Sequence, residues 1–312
     1  MGDVLTIRSL SKKYQKKLVL NKVSMDINKG DIYGFVGENG SGKTTVIRAI
    51  CGLINIDEGD ISLFNVNSKS KEIYKAKEKL GAIVENPSIY QNMTAKENLI
   101  TQATILGITD LSCVDEILHT VGLDKMDIEN KKAGNFSLGM RQRLGIAMAL
   151  INDPSFIILD EPMNGLDPEG IVEIRELILK LNQTKQITFL ISSHILTELA
   201  LIATKYGIIS KGKIIKEITN EQLKQECSKY TIIDSVDNEV LFKLLISKYS
   251  IESIKPCNDG IKIYEDVDLN ELFEMFNSNN LKITSIKTIQ TGIEEYYLSM
   301  ISGKGDILWY HY

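Results

Sequence analysis

The chain has 312 residues, 43% of them hydrophobic and 25% charged, the balance of a globular protein with room for one large domain and a smaller one. No run reaches the ~18 to 20 consecutive apolar residues that span a bilayer, and no basic stretch followed by an apolar core opens the chain as a secretory signal would, so a cytoplasmic location is expected. The net charge is −5, and from Glu221 onward 9 lysines face 15 acidic residues, which argues against a nucleic-acid backbone as partner.

In chain order, Met1-Gly2-Asp3-Val4-Leu5-Thr6 fits a myristoylation pattern, but Val4-Leu5-Thr6-Ile7 reads better as the start of a strand. From Val4 to Ile218 short β-rich runs alternate with longer helical patterns, which predicts an α/β domain with a largely parallel sheet. A strand over 31–36 runs into a glycine loop, and a helix over 45–53 follows, with Gly52 as its stop. A helix over 141–151 is broken by Asp153-Pro154, ahead of the apolar strand Phe156-Ile157-Ile158-Leu159. A helix over 171–181 then precedes a strand over 187–191. Beyond Asn220 come short strands and amphipathic helices, including 240–246 and 269–276, with a loop at 277–280 and a loose end at Gly303-Lys304-Gly305. The expected division is therefore 1–220 and 221–312, the second a small α+β domain. The four cysteines, Cys51, Cys113, Cys227 and Cys257, form no close pair, which suits neither a zinc knuckle nor a disulfide framework.

Chemistry concentrates in two places. Gly37-Glu38-Asn39-Gly40-Ser41-Gly42-Lys43-Thr44-Thr45 matches G-x-x-x-x-G-K-[ST] between a predicted strand and a predicted helix. Glycines let successive N–H groups aim at phosphate oxygens, and the helix adds its positive end. Lys43 is expected on the β- and γ-phosphates of ATP, and the Thr44 hydroxyl on Mg²⁺. The strand 156–159 then ends in Asp160-Glu161. Taken alone, two such carboxylates read as solvated turn residues or helix caps. Beside a phosphate loop they acquire separate duties, because side chains alternate along a strand: Asp160 to hold Mg²⁺ through water, Glu161 to polarise the attacking water.

With those residues in place, 5–218 resembles the nucleotide-binding subunits of ATP-binding cassette transporters. Phe136-Ser137-Leu138-Gly139-Met140-Arg141-Gln142-Arg143 is similar to the family's signature segment, Asn164-Gly165-Leu166-Asp167-Pro168 to its D-loop, and Ser192-Ser193-His194 to its switch histidine. Tyr14 is similar to the aromatic that stacks on adenine. Leu138 and Met140 stand where glycine and glutamine are common, while Ser137 and Gly139 keep the family pattern. Ser137 also reads simply as a helix cap, and the two roles are compatible. Glu85 closes Leu80-Gly81-Ala82-Ile83-Val84-Glu85 at the place of the family's loop glutamine, near the metal. That glutamate, with the altered signature, resembles the bacitracin-resistance and lantibiotic-immunity exporters.

The resemblance implies a P-loop cassette with a mixed-sheet core and a helical subdomain over about 86–150. It implies an ATPase with Glu161 as base, His194 at the γ-phosphate and Lys43 in the loop, binding ATP through Tyr14, Gly37 to Thr45, Ser137, Gly139 and Asp167, and Mg²⁺ through Thr44, Glu85 and Asp160. It implies a head-to-tail dimer, separate membrane-spanning permease subunits reached through Asn86-Pro87-Ser88-Ile89-Tyr90, and a peripheral place on the cytoplasmic face. The function expected is export of an antimicrobial peptide or similar compound. A cassette acting on ribosomes or DNA is the alternative, which the single phosphate loop and the lack of a long coiled coil disfavour. The segment Gly292 to Leu298 resembles the short helix that ends many exporter ATPases, and the C-terminal domain reads as a dimer contact or a sensor.

Overall fold

Two long β-rich strands open the fold: β1 (Asp3–Tyr14) and β2 (Lys17–Asn28) pair antiparallel. The computed structural model describes residues 3–15, 17–124, 130–290 and 292–301; Met1-Gly2, Gly303-Lys304-Gly305 and His311 lie outside them. In order there follow β3 (Ile32–Val36), α1 (Lys43–Cys51), β4 (Glu58–Leu63), β5 (Val66–Asn67), α2 (Ile73–Lys77) and β6 (Leu80–Ile83). Next come α3 (Ala95–Ile105), α4 (Cys113–Thr120), α5 (Leu138–Leu150), β7 (Phe156–Asp160) and α6 (Pro168–Lys185). The first part ends with β8 (Thr188–Ser193), α7 (Leu196–Leu199), β9 (Lys205–Ser210) and β10 (Lys213–Thr219). The chain then divides into two compact units after Asn220.

The first unit holds two sheets, ordered β2-β1-β4-β5 and β10-β9-β3-β8-β7-β6. In the second, β9, β3, β8, β7 and β6 run parallel, and β3, β7 and β8 are buried at every position. Strands covered on both faces have no solvent-facing side, which is why they read as largely apolar runs without alternation, with polar residues only at their ends. Register sets the site: Val36 lies opposite Ser193, Asp160 opposite Ser192, and Ile83 opposite Leu159. The carboxyl ends of four strands thus reach one edge, where ligands of parallel α/β sheets bind.

Several helices start earlier than expected, among them α1 and α5. Helix α1 begins at Lys43, two residues early, because Gly42 at φ 115° turns the chain directly into it. Helix α5 begins at Leu138 where 141 was expected, because the Ser137 hydroxyl accepts the Met140 N–H and caps the end three residues sooner.

The second unit contains α8 (Asn220–Glu226) at the junction, then β11 (Lys229–Ser235), α9 (Asn238–Ile246), β12 (Ile254–Cys257), β13 (Gly260–Ile263), α10 (Leu269–Ser278), β14 (Ile283–Gln290) and α11 (Ile293–Ile301). Its sheet order, β12-β13-β11-β14 with every pair antiparallel, is the split β-α-β-β-α-β arrangement. Ile233, Leu241, Leu245, Ile263 and Leu272 are fully buried in a core of its own. The expected loop at 277–280 begins late, since α10 runs through Ser278.

Candidate active site

The glycine loop carries the chain from β3 into α1. Gly40 and Gly42 have φ of 79° and 115°, and a Cβ on Gly42 would stand 2.7 Å from Leu20 Cδ2. Only glycine meets both demands at Gly42. Lys43 is 5% exposed. Its Nζ reaches back to donate to the carbonyls of Gly37 at 2.6 Å and Glu38 at 3.4 Å, and lies 3.1 Å from Glu161 Oε1. The Ser41 hydroxyl is buried without a partner.

Strands β7 and β8 supply the acid side. Asp160 is 2% exposed. Ser192 Oγ donates to Asp160 Oδ1 at 2.5 Å and accepts the Glu161 N–H at 2.9 Å, so one buried hydroxyl orders both acids. Glu161 leaves the strand at φ 51°, which swings its side chain away from that of Asp160. Its Oε2 lies 2.8 Å from Nδ1 of His194, the residue after β8. Lys43, Glu161 and His194 therefore form one cluster, with the carboxylate between an ammonium and an imidazole.

Asp160 Oδ2 is buried and unpartnered. A carboxylate oxygen out of water is costly unless a donor or cation meets it. A carboxylate together with hydroxyls such as those of Ser41 and Thr44 in the glycine loop is a donor set of the hard-oxygen kind that suits Mg²⁺.

Two expected site residues stand apart from this cluster. Glu85, at φ 65° and with its side chain 55% exposed, accepts from Arg48 Nη2 at 2.6 Å. Tyr14 ends β1, is 44% exposed, and has Lys12 Nζ 5.4 Å from its ring centre. An open ring beside a cation is able to take a flat, electron-rich base.

Ser137, Gly139 and Asp167 gather elsewhere, around a cavity of about 470 Å³ that Leu138, Arg143 and Glu173 also line. No residue of the Gly37 to Thr45 loop lines it. Ser137 caps α5, and Asp167 caps α6 by accepting the Gly170 N–H at 3.0 Å, with Pro168 beginning that helix. Arg143 pairs with Glu173 across α5 and α6. A larger groove of about 770 Å³ is lined by Leu53, Tyr74, Val84, Pro87, Leu106 and Met148, and Asn86 and Ser88 also face it.

Sequence reasoning missed Ser192 and Arg48. Ser192 sits in the quoted Ser-Ser-His segment, but its task depends on the β7–β8 register, which a sequence does not display. Arg48 stands four residues after Thr44 and so shares its helix face, a spacing that was visible; its partner across the fold was not.

The family model described as ABC transporter matches residues 20–164. The bacitracin transport ATP-binding protein BcrA of Bacillus licheniformis is 39% identical over 308 residues, covering 97% of this chain and 99% of that protein. The lantibiotic transport ATP-binding protein SrtF of Streptococcus pyogenes is 40% identical over 240 residues, 77% of this chain and 99% of its own length. The crystal structure of the ADP conformation of MJ1267, an ATP-binding cassette of an ABC transporter, is 28% identical with a TM-score of 0.64, covering 72% of this chain and 94% of that one. Relatives that align over nearly all of this chain and of their own length leave one conclusion: the chain belongs to the ATP-binding proteins of ABC transporters, and it is a P-loop ATPase.

Proposed function

We propose that the chain powers the export of a peptide antibiotic, with ATP held by the loop Gly37 to Thr45 and hydrolysed with Glu161 as general base. The observation that carries the chemistry is the placing of Glu161, whose carboxylate lies against both Lys43 and His194 at the sheet edge. Phosphates entering the loop compete for Lys43, which frees one carboxylate oxygen to accept a proton from water. His194, tied to the other oxygen, is placed to donate to a γ-phosphate. Thr44 and Asp160 would hold Mg²⁺, which when bound would neutralise charge on the phosphates. The buried, unpartnered Asp160 Oδ2 supports that assignment. Tyr14 stacks on the adenine.

Ser137, Gly139 and Asp167 complete the site of a second copy packed head to tail. Supporting this, they line a cavity separate from the phosphate loop, and the capped N-terminus of α5 offers free N–H groups to an anion. The groove beside Asn86, Pro87 and Ser88 takes a segment of a membrane-spanning permease. No described helix is long and apolar enough to cross a membrane. In this reading the permease is a separate polypeptide, and the chain sits peripherally on the cytoplasmic face. The compound class follows the relatives, of which the BcrA protein aligns through both units.

Glu161→Gln is expected to slow hydrolysis by about two to four orders of magnitude, the span of general-base catalysis, while ATP binding persists. Coexpressed with its permease in a bacitracin-sensitive host, the wild-type chain should raise the inhibitory concentration of bacitracin and the Glu161→Gln variant should not. Wild-type turnover by that variant would overturn the assignment of the base, and equal protection by both chains would overturn the export reading.

A further inference from the structure

Helix α1 carries two cations that end on two carboxylates at one sheet edge. Lys43 lies 3.1 Å from Glu161, and five residues on Arg48 meets Glu85 at 2.6 Å. The acids are level with one another: Ile83 pairs with Leu159, and Glu85 and Glu161 each stand two residues beyond. Both are held at left-handed φ, 65° and 51°, a conformation that a non-glycine residue keeps only when its surroundings enforce it.

The Arg48 guanidinium lies four residues past Thr44, about 6 Å of helix rise. A carboxylate held by the helix that follows the glycine loop would, if bare, oppose the binding of phosphates in that loop, and it would compete to ligate a divalent cation bound with them. Exposed pairs of this kind add little to stability, so stability alone does not explain the arrangement. The chain also runs directly from Glu85 into Asn86, Pro87 and Ser88, which line the large groove, and α1 ends at Cys51 in the wall of the same groove.

We propose that Arg48 is a positioning residue for Glu85. It cancels the charge that a glutamate brings to this loop and holds the carboxylate away from metal and phosphates. The pair also ties the groove-lining loop to the helix that grips the nucleotide. This inference rests on the ATPase reading above and is independent of which compound is exported.

The test is a double-mutant cycle on the full-length chain. Binding of a fluorescent non-hydrolysable ATP analogue is titrated without and with Mg²⁺ for wild type, R48A, R48K, E85Q and R48A/E85Q, with thermal melting alongside. R48A should weaken Mg²⁺-free binding by about threefold to tenfold, as expected for one uncompensated charge near the phosphates, and the deficit should shrink at high salt. R48K should keep most of the affinity, and R48A/E85Q should bind within about twofold of E85Q, because the charge that Arg48 answers is gone. Normal wild-type binding with R48A unchanged, or with R48A/E85Q as weak as R48A, overturns the inference alone. Failure of the wild-type chain to bind the analogue overturns the ATPase reading, and the inference with it.

Discussion

Single side chains at the sheet edge are ordered by a few buried groups, and their burial reaches the neighbouring thiol. Burial pushes Cys51 up to about 11, with Asp160 adding in the same direction and Lys77 opposing. Thiolate therefore forms only as pH rises well above neutrality, leaving on the order of one thiol in a thousand ionised at pH 8 against about a quarter for an ordinary thiol. Alkylation of Cys51 at pH 8, followed by peptide mass spectrometry, should be about a hundredfold or more slower in the folded chain than in urea; comparable rates would show the thiol to be accessible and ionised. At this scale Lys43 and Glu161 each stand in a motif whose spacing is local and visible in the sequence, and the structure brings the two together. Ser192 and Arg48 were not legible, since each acts on a residue more than thirty positions away. For Glu85, reading the sequence placed an acid near the metal, whereas its carboxylate lies against Arg48.

Elements owe their boundaries to caps that a sequence displays unevenly. Helix α3 begins with a complete capping box, in which Thr94 Oγ1 accepts the Glu97 N–H at 3.2 Å and Glu97 Oε2 accepts the Thr94 N–H at 2.7 Å. The Thr94 backbone hydrogen bond holds the Glu97 carboxyl below its usual range, so this contribution is present above the ordinary carboxylate pKa and fades as pH falls through the lowered one. Thr94→Ala should cost about 1 kcal/mol, and about 2 to 4 °C in the melting of a unit this size. An unchanged melting temperature would mean that the box adds nothing. The Thr-x-x-Glu spacing announces this helix, whereas the start of α5 was hidden: Ser137 is followed by Leu138 and Gly139, which carry no periodic signal. The parallel strands β3, β7 and β8 were plain as apolar runs, while β6, β9 and the order β10-β9-β3-β8-β7-β6 were not, the order depending on crossovers that no local pattern encodes.

At the scale of the whole molecule, the second unit has a separate core and a β-α-β-β-α-β order that short amphipathic segments did not specify. The first unit has a different peculiarity: its phosphate loop and its Ser137 cavity are separate places on one chain. If each completes a neighbour's site, a Lys43→Ala chain and a Ser137→Arg chain, both inactive alone, should recover activity when mixed. Half the dimers in an equal mixture are mixed, and each mixed dimer has one intact site, so recovery of about a quarter of wild-type turnover is expected if subunits exchange freely. No recovery would argue that a single copy suffices. The same separation has a consequence for dosage. On the head-to-tail proposal a lone copy has the grip but not the far wall of its own site, so activity per molecule should climb with concentration and vanish on dilution. Halving the amount of protein in a cell would then cost more than half the work, and specific activity measured from nanomolar to micromolar chain should rise where a self-sufficient ATPase would stay flat.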